Sequence, residues 1–182
     1  MRNDVPVPSS QSRRIIGIDP GLAATGWGVV DCEHGKIRYI AHGSIKTRAG
    51  QAQAQRLLLI MESLRLVLDE YQPTESAVEI LFFGRNVSSA IPVAEARGVI
   101  FAVLAERGLP VREYQPNAIK QGVTGVTNAD KNQVKEMVRI MLGLTEAPRP
   151  DHAADALGAA ICAANSLESA AICAANDYRC HE

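Results

Sequence analysis

Residues 14–30, RIIGIDPGLAATGWGVV, constrain the fold of this chain more than any other stretch. Ile15, Ile16 and Ile18 are β-branched and apolar, so residues 15–19 read as a short strand buried on both faces. Asp19 closes that strand. Pro20 presets φ and Gly21 is free to take positive φ, which makes a tight turn. Residues 25–30 then restart an extended run, and the unit is strand, tight loop, strand. A carboxylate at the end of a buried strand is costly unless something outside the sheet pairs with it. Asp19 therefore either caps its own Pro-Gly turn or points out of the sheet edge at a metal ion or phosphate. Whether other acids reach the same edge decides between the two.

Residues 36–46 (KIRYIAHGSIK) alternate at Ile37, Tyr39 and Ile45 after Gly35, which predicts a third, antiparallel strand. Residues 51–71 place Leu57, Ile60, Met61, Leu64, Leu68 and Tyr71 at helical spacing, and Pro73 ends the helix. Residues 76–80 form a short strand carrying a second acid, Glu79. A loop over 81–86 holds Phe82 and Phe83. Ser88 or Ser89 then caps a helix running to 106, with Pro92 in or near its first turn. Ala90, Ala94 and Gly98 give that helix a small-residue face, suited either to close packing on the sheet or to a subunit contact. Residues 111–114 are the last strand, closed by Pro116, and 121–128 read as a Gly/Thr/Asn loop. Val134, Met137, Val138, Met141 and Leu142 mark a helix over 132–142. The final helix opens at Asp151, expected as its N-cap with the carboxylate taking the N–H of Ala153 or Ala154. His152 and Asp155, three apart, share one face of its first turn.

The order β-β-β-α-β-α-β-α-α ends its first and fourth strands in acids. If those strands are parallel neighbours, Asp19 and Glu79 emerge together, and a helix N-terminus meeting that edge adds His152 and Asp155. Clustered acids raise one another's pKa unless cations neutralise them. Hard oxygen donors with few nitrogens favour Mg²⁺ or Mn²⁺. Two such ions about 3.5–4 Å apart suit in-line attack on a phosphodiester.

The 182-residue chain carries a net charge of −1, which excludes a generally basic surface. Between Arg107 and Arg139, however, six Lys/Arg stand against three acids, a local excess of +3 suited to phosphate contacts. Cys32, Cys162, Cys173 and Cys180 have no Cys-x-x-Cys spacing and fit free thiols in a reducing cytoplasm. We expect one domain over residues 14–165. Residues 1–13 read as a loose polar arm without a signal-peptide core, and 166–182 as a tail in which AAICAAN of 159–165 recurs at 170–176. The longest apolar run, residues 99–105, is too short to span a bilayer.

The segments IGIDPGLAATGWGVV, VEILFFGRN, AEARGVI, YQPNAIKQGVTGVTNADKNQV and PDHAADALGAAI, spread over residues 14–163, resemble the RuvC-type Holliday junction resolvases. That resemblance implies an α/β, ribonuclease H-like fold: a five-stranded mixed sheet flanked by helices. It implies a catalytic, metal-binding quartet of Asp19, Glu79, His152 and Asp155 holding two Mg²⁺ ions. The family often has Asp where this chain has His152, so Asp151 stands as the alternative fourth ligand. An imidazole there would make Mn²⁺ an accepted and even preferred ion. Phe82 is expected to stack on unpaired bases, with Arg85, Asn86, Lys120 and Lys131 contacting DNA. Phe83 is assigned to the core, and Arg107 and Arg139 to solvated helix surface. The implied activity is paired, symmetric nicking of four-way DNA junctions in homologous recombination and repair, leaving 5′-phosphate and 3′-hydroxyl ends. The implied setting is cytoplasmic, as a homodimer joined through the helix at 89–106, with the RuvA and RuvB branch-migration proteins as partners.

Three other readings fit less well. A sugar-kinase or actin-like ATPase would need a second phosphate loop and a second lobe, which 182 residues do not hold. A non-catalytic junction-binding module has no use for four metal-type ligands. A general ribonuclease H differs in substrate and is separated by a cleavage comparison.

Overall fold

The computed structural model describes residues 12–80 and 87–166, with the backbone alone at 87–89. Three strands come first, β1 (Arg13–Asp19), β2 (Ala24–Glu33) and β3 (Lys36–Lys46). After them come α1 (Gln53–Tyr71), β4 (Glu75–Glu79), α2 (Val87–Glu106) and β5 (Val111–Tyr114). Three helices close the chain: α3 (Pro116–Thr124), α4 (Lys131–Met141) and α5 (Asp151–Asn165). The strands form one mixed sheet in the order β3-β2-β1-β4-β5. β1–β2 and β2–β3 pair antiparallel, while β1–β4 and β4–β5 are parallel. The five-stranded ribonuclease H-like sheet is therefore as expected. In the β1–β4 ladder Ile18 stands beside Val78. The next residue on each strand is the acid, so Asp19 and Glu79 leave the sheet side by side.

Both faces of the sheet are covered, which is why β1 reads as a nearly unbroken apolar run. On one face Ile16, Ile18, Val29 and Val78 pack under α1 and α2, against Ile60, Leu64, Ile100 and Leu104. On the other, Ile15, Val30 and Ala77 pack under α3, α4 and α5, against Ile119, Val138, Leu157 and Ile161. α5 lies almost flat on β1 and β2 because those strands offer it glycines. A Cβ on Gly17 would stand 1.9 Å from the Ala156 carbonyl oxygen, and one on Gly26 would stand 1.9 Å from that of His152. The GxDPGxxxxG spacing of the opening stretch is thus the seat of the last helix, and it sets how near α5 comes to Asp19.

Several expectations are corrected. Residues 116–124 form a helix, α3, where a closed strand and the start of a loop were expected. Gly122 suggested a loop, yet its missing side chain admits Cys162 of α5: a Cβ there would lie 2.9 Å from that sulfur. Ile119 and Val123, four apart, bury the α3 face. The N-cap of α5 is Pro150, not Asp151, and the Ala153 N–H donates to the Pro150 carbonyl at 2.9 Å. α2 begins at Val87, so Ser88 and Ser89 lie within the helix and Pro92 beyond its first turn. Its small-residue face does not pack on the sheet: Ala96, Ile100, Val103 and Leu104 do, while Ala94 and Gly98 are exposed.

β1 and β2 also extend past their apolar runs into a buried ion pair. Arg14 donates to Asp31 through Nε at 2.7 Å and through Nη2 at 3.0 Å, and Arg38 adds a third contact at 2.9 Å. Burial opposes the Asp31 charge, but the two guanidiniums win and hold its pKa below the ordinary value. Among the described residues no helix is long and apolar enough to cross a membrane.

Candidate metal centre

Three elements deliver the site. β1 ends in Asp19, β4 in Glu79, and the first turn of α5 carries His152 and Asp155. The Pro20-Gly21 turn is fastened by the Thr25 hydroxyl, which donates to the Gly21 carbonyl at 2.7 Å. Asp19 is thus left to face outward, where its Oδ2 lies 2.6 Å from His152 Nδ1. One ligand atom from each of Asp19, His152 and Asp155 lies within 4.8 Å of the others. Neither Glu79 nor Asp151, the alternative fourth ligand, is in that cluster. Glu79 stands on the adjoining strand, one residue past the Ile18–Val78 pair, and Asp151 is on the first turn of α5. It is engaged by Lys135 and, at 3.5 Å, by Lys131.

The charges at this edge strain against one another. Burial pushes the Glu79 carboxyl up to about 8, and the neighbouring Asp19 and Asp155 carboxylates add to the effect. Asp19 is also raised, chiefly by burial, although its hydrogen bond to His152 pulls it back. Such a set cannot be fully ionised near neutral pH without added positive charge. Lys131 supplies some, its Nζ lying 3.2 Å from Asp155 Oδ2. Burial works against that ammonium, yet Asp155 and Asp151 keep its pKa above the ordinary lysine value. Two carboxylates and an imidazole brought together, with the Glu79 carboxyl on the adjoining strand, fit a divalent metal that prefers oxygen ligands.

A cleft of about 230 Å³ adjoins the acids, lined by Glu79, Lys120, Lys131 and Asp155 above an apolar floor of Ile119 and Val134. Of the six cations counted between 107 and 139, only some serve this edge. Lys120 and Lys131 line the cleft, and Lys135, one turn along α4 from Lys131, reaches Asp151. Arg107 pairs with Asp69 at 2.6 Å and Arg139 with Glu136 at 2.6 Å, in keeping with their assignment to helix surface. Arg112 is largely buried and lies 3.6 Å from Glu75, so it leaves the expected basic patch. Lys135 was not singled out from sequence, though its spacing of four from Lys131 on one helix face was the available signal. Phe82, Phe83, Arg85 and Asn86 lie outside the described residues.

Comparison with known proteins identifies the family. Residues 15–163 match the family described as Crossover junction endodeoxyribonuclease RuvC. The RuvC of Chloroflexus aggregans is 52% identical over 149 residues, covering 82% of this chain and 91% of that one. The RuvC of Treponema denticola is 48% identical over 151 residues, covering 83% and 85%. Among solved structures, Thermus thermophilus RuvC in complex with a Holliday junction substrate superposes with a TM-score of 0.79 at 38% identity, covering 84% of this chain and 93% of that one. With its matched segment spanning β1 through α5 and its acids converging at the sheet edge, the chain belongs to the RuvC family of crossover junction endodeoxyribonucleases, DNA-cleaving hydrolases.

Proposed function

We propose that this protein resolves four-way (Holliday) DNA junctions by paired, symmetric nicks during homologous recombination and repair. The observation that carries the reading is the Asp19–His152–Asp155 cluster, with Glu79 on the adjoining parallel strand and a cleft lined by Lys120 and Lys131 beside it. The likeness to a RuvC solved with a junction substrate supports the choice of DNA structure. Asp19, Glu79, His152 and Asp155 would hold two divalent ions, Mg²⁺ or Mn²⁺. The chemistry such ions would supply is a lowered pKa for an attacking water and charge stabilisation at the leaving oxygen, and the ends expected in this reading are 5′-phosphate and 3′-hydroxyl. Lys120 and Lys131 face the space where the phosphate would lie, and they offset acids that would otherwise repel it. Phe82, Arg85 and Asn86 complete the DNA contacts in this reading.

A four-way junction offers two equivalent strands, so a two-fold dimer places one site at each. The exposed small-residue face of α2, with Ala94 and Gly98 beside an exposed Ile91, is our candidate for that contact. RuvA and RuvB are the branch-migration partners that family membership suggests, and the cytoplasm is the expected compartment.

Cleavage of a labelled four-way junction, a matched duplex and an RNA–DNA hybrid, each in Mg²⁺ and in Mn²⁺, tests the reading. Paired nicks in the junction alone are expected. Preferential cutting of the hybrid would overturn it in favour of a ribonuclease H.

A further inference from the structure

A second groove, of about 870 Å³, opens on the other side of the acidic cluster. It is lined by Lys46, Asn132, Lys135, Arg149, Asp151 and His152, among others. The sheet order β3-β2-β1-β4 fixes its place: Lys46 ends β3, Glu79 ends β4, and Asp19 stands between them. The Glu79 cleft and this groove therefore flank the cluster, one on the β4 side and one on the β3 side. His152 belongs both to the cluster and to the groove wall.

The charge of the groove is one-sided. Lys46, Lys135 and Arg149 face a single carboxylate, Asp151, which Lys135 and Lys131 already neutralise. The Asp151 side chain is exposed, and the Lys135 contact is the chief cause holding its pKa below the ordinary value. The side chains of Lys46 and Arg149 have no hydrogen-bond or ion-pair partner among the described residues, and both are exposed. Their backbones, however, are well placed. Lys46 stands opposite Ala24 at the end of the β2–β3 ladder, and the following Thr47 N–H donates to the Ala23 carbonyl at 3.1 Å. Arg149 sits between Pro148 and Pro150, whose rings fix φ on either side of it. Two unpaired cations on constrained backbone, bordering a wide groove that leads to the metal ligands, have the character of phosphate contacts.

We infer that this β3-side groove carries the DNA backbone beyond the cleavage point, with Lys46 and Arg149 as positioning residues that grip phosphates on the far side of the cut from Lys120 and Lys131. The inference deepens the proposed function and rests on it. The strand would run from the Glu79 cleft across Asp19 and His152 into the groove, held by cations on both sides of the reacting phosphate.

The test measures binding without catalysis. Protein carrying Asp19→Asn, in chelator, is titrated with a fluorescent four-way junction over a series of salt concentrations, alone and with Lys46→Ala and Arg149→Ala added. Each lost phosphate contact should reduce the slope of log affinity against log salt by about 1. The double substitution is therefore expected to flatten the slope by about 2. Lys36→Ala, at the opposite end of β3, serves as control and should leave it unchanged. An unaltered slope in the double variant overturns the inference, as does an equal loss in the Lys36 control. A parent protein that binds the junction no better than duplex would overturn the functional reading instead. The slope comparison, repeated on duplex, would still judge the groove.

Discussion

His152 Nδ1 lies 2.6 Å from Asp19 Oδ2, joining residues 133 positions apart in the chain. The contact ties the end of the first strand to the opening turn of the last helix. It sets a ring nitrogen against a carboxylate whose burial would otherwise favour protonation.

Asp19→Asn, Glu79→Gln and Asp155→Asn should each reduce junction nicking by more than the ~100-fold typical of losing a partner behind a metal ligand. Junction affinity should be kept or improved, because each change removes negative charge facing a phosphate and no DNA contact. Nicking and binding assays run on the same preparations check this. Near-normal turnover in any one variant removes that residue from the site.

Gly26→Ala should damage fold and site together. A Cβ there meets backbone, the His152 carbonyl, at 1.9 Å, so relief requires moving α5. A cost of about 3 kcal/mol or more is expected, at the upper end of overpacking effects. Gly28→Ala should be milder, since the nearest atoms at 2.6 Å belong to the Leu157 side chain. Urea denaturation of the two variants gives the ranking, and equal stabilities would refute the role assigned to Gly26.

Glu79 makes metal-free stability depend on pH. Its carboxyl is raised from 4.5 to about 8 by burial and by Asp19 and Asp155. Between those values the unfolded chain releases the proton while the folded protein retains it, so stability falls as pH rises through the window and levels off above about 8. Glu79→Gln removes the loss. In chelator, the variant should exceed the parent at pH 8 by on the order of a few kcal/mol and match it near pH 4. Parallel stability curves at both ends of the window decide the matter.

His152→Asp should narrow the preference for Mn²⁺ over Mg²⁺. An imidazole gives one nitrogen and no charge, and Mn²⁺ accepts nitrogen more readily than Mg²⁺. His152→Ala should cost far more in Mg²⁺ than in Mn²⁺. Metal titrations of cleavage, paired with calorimetric binding of each ion, measure both effects. An unchanged Mn²⁺/Mg²⁺ ratio in His152→Asp would move attention to Asp151.

Much of this architecture is legible in one dimension. The 3.6-residue apolar period locates α1 nearly to the residue, because that helix buries Ile60, Leu64 and Leu68 on one face, and β3 and β5 fall at the expected bounds. The acids at the ends of β1 and β4 are legible for the same reason, as charges that interrupt apolar runs. α3 was missed because Gly122 resembles a loop residue unless its neighbour Cys162 on α5 is known. Ser88 and Ser89 likewise looked like caps, while the start of α2 at Val87 was not signalled locally.

Only the tertiary structure decided which charges act together. The spacing of His152 and Asp155 put both on one helical face, but their meeting with Asp19 depends on glycines of β1 and β2 that admit the α5 backbone. Arg112 and Lys135 belong to the same basic stretch, yet one is buried near Glu75 and the other reaches the site through Asp151. The elevated Glu79 carboxyl likewise arises from burial and from acids on two other elements. Periodicity along a chain reports which face of an element is buried. Electrostatics depends on distance in space and on desolvation, and both are set when the elements pack.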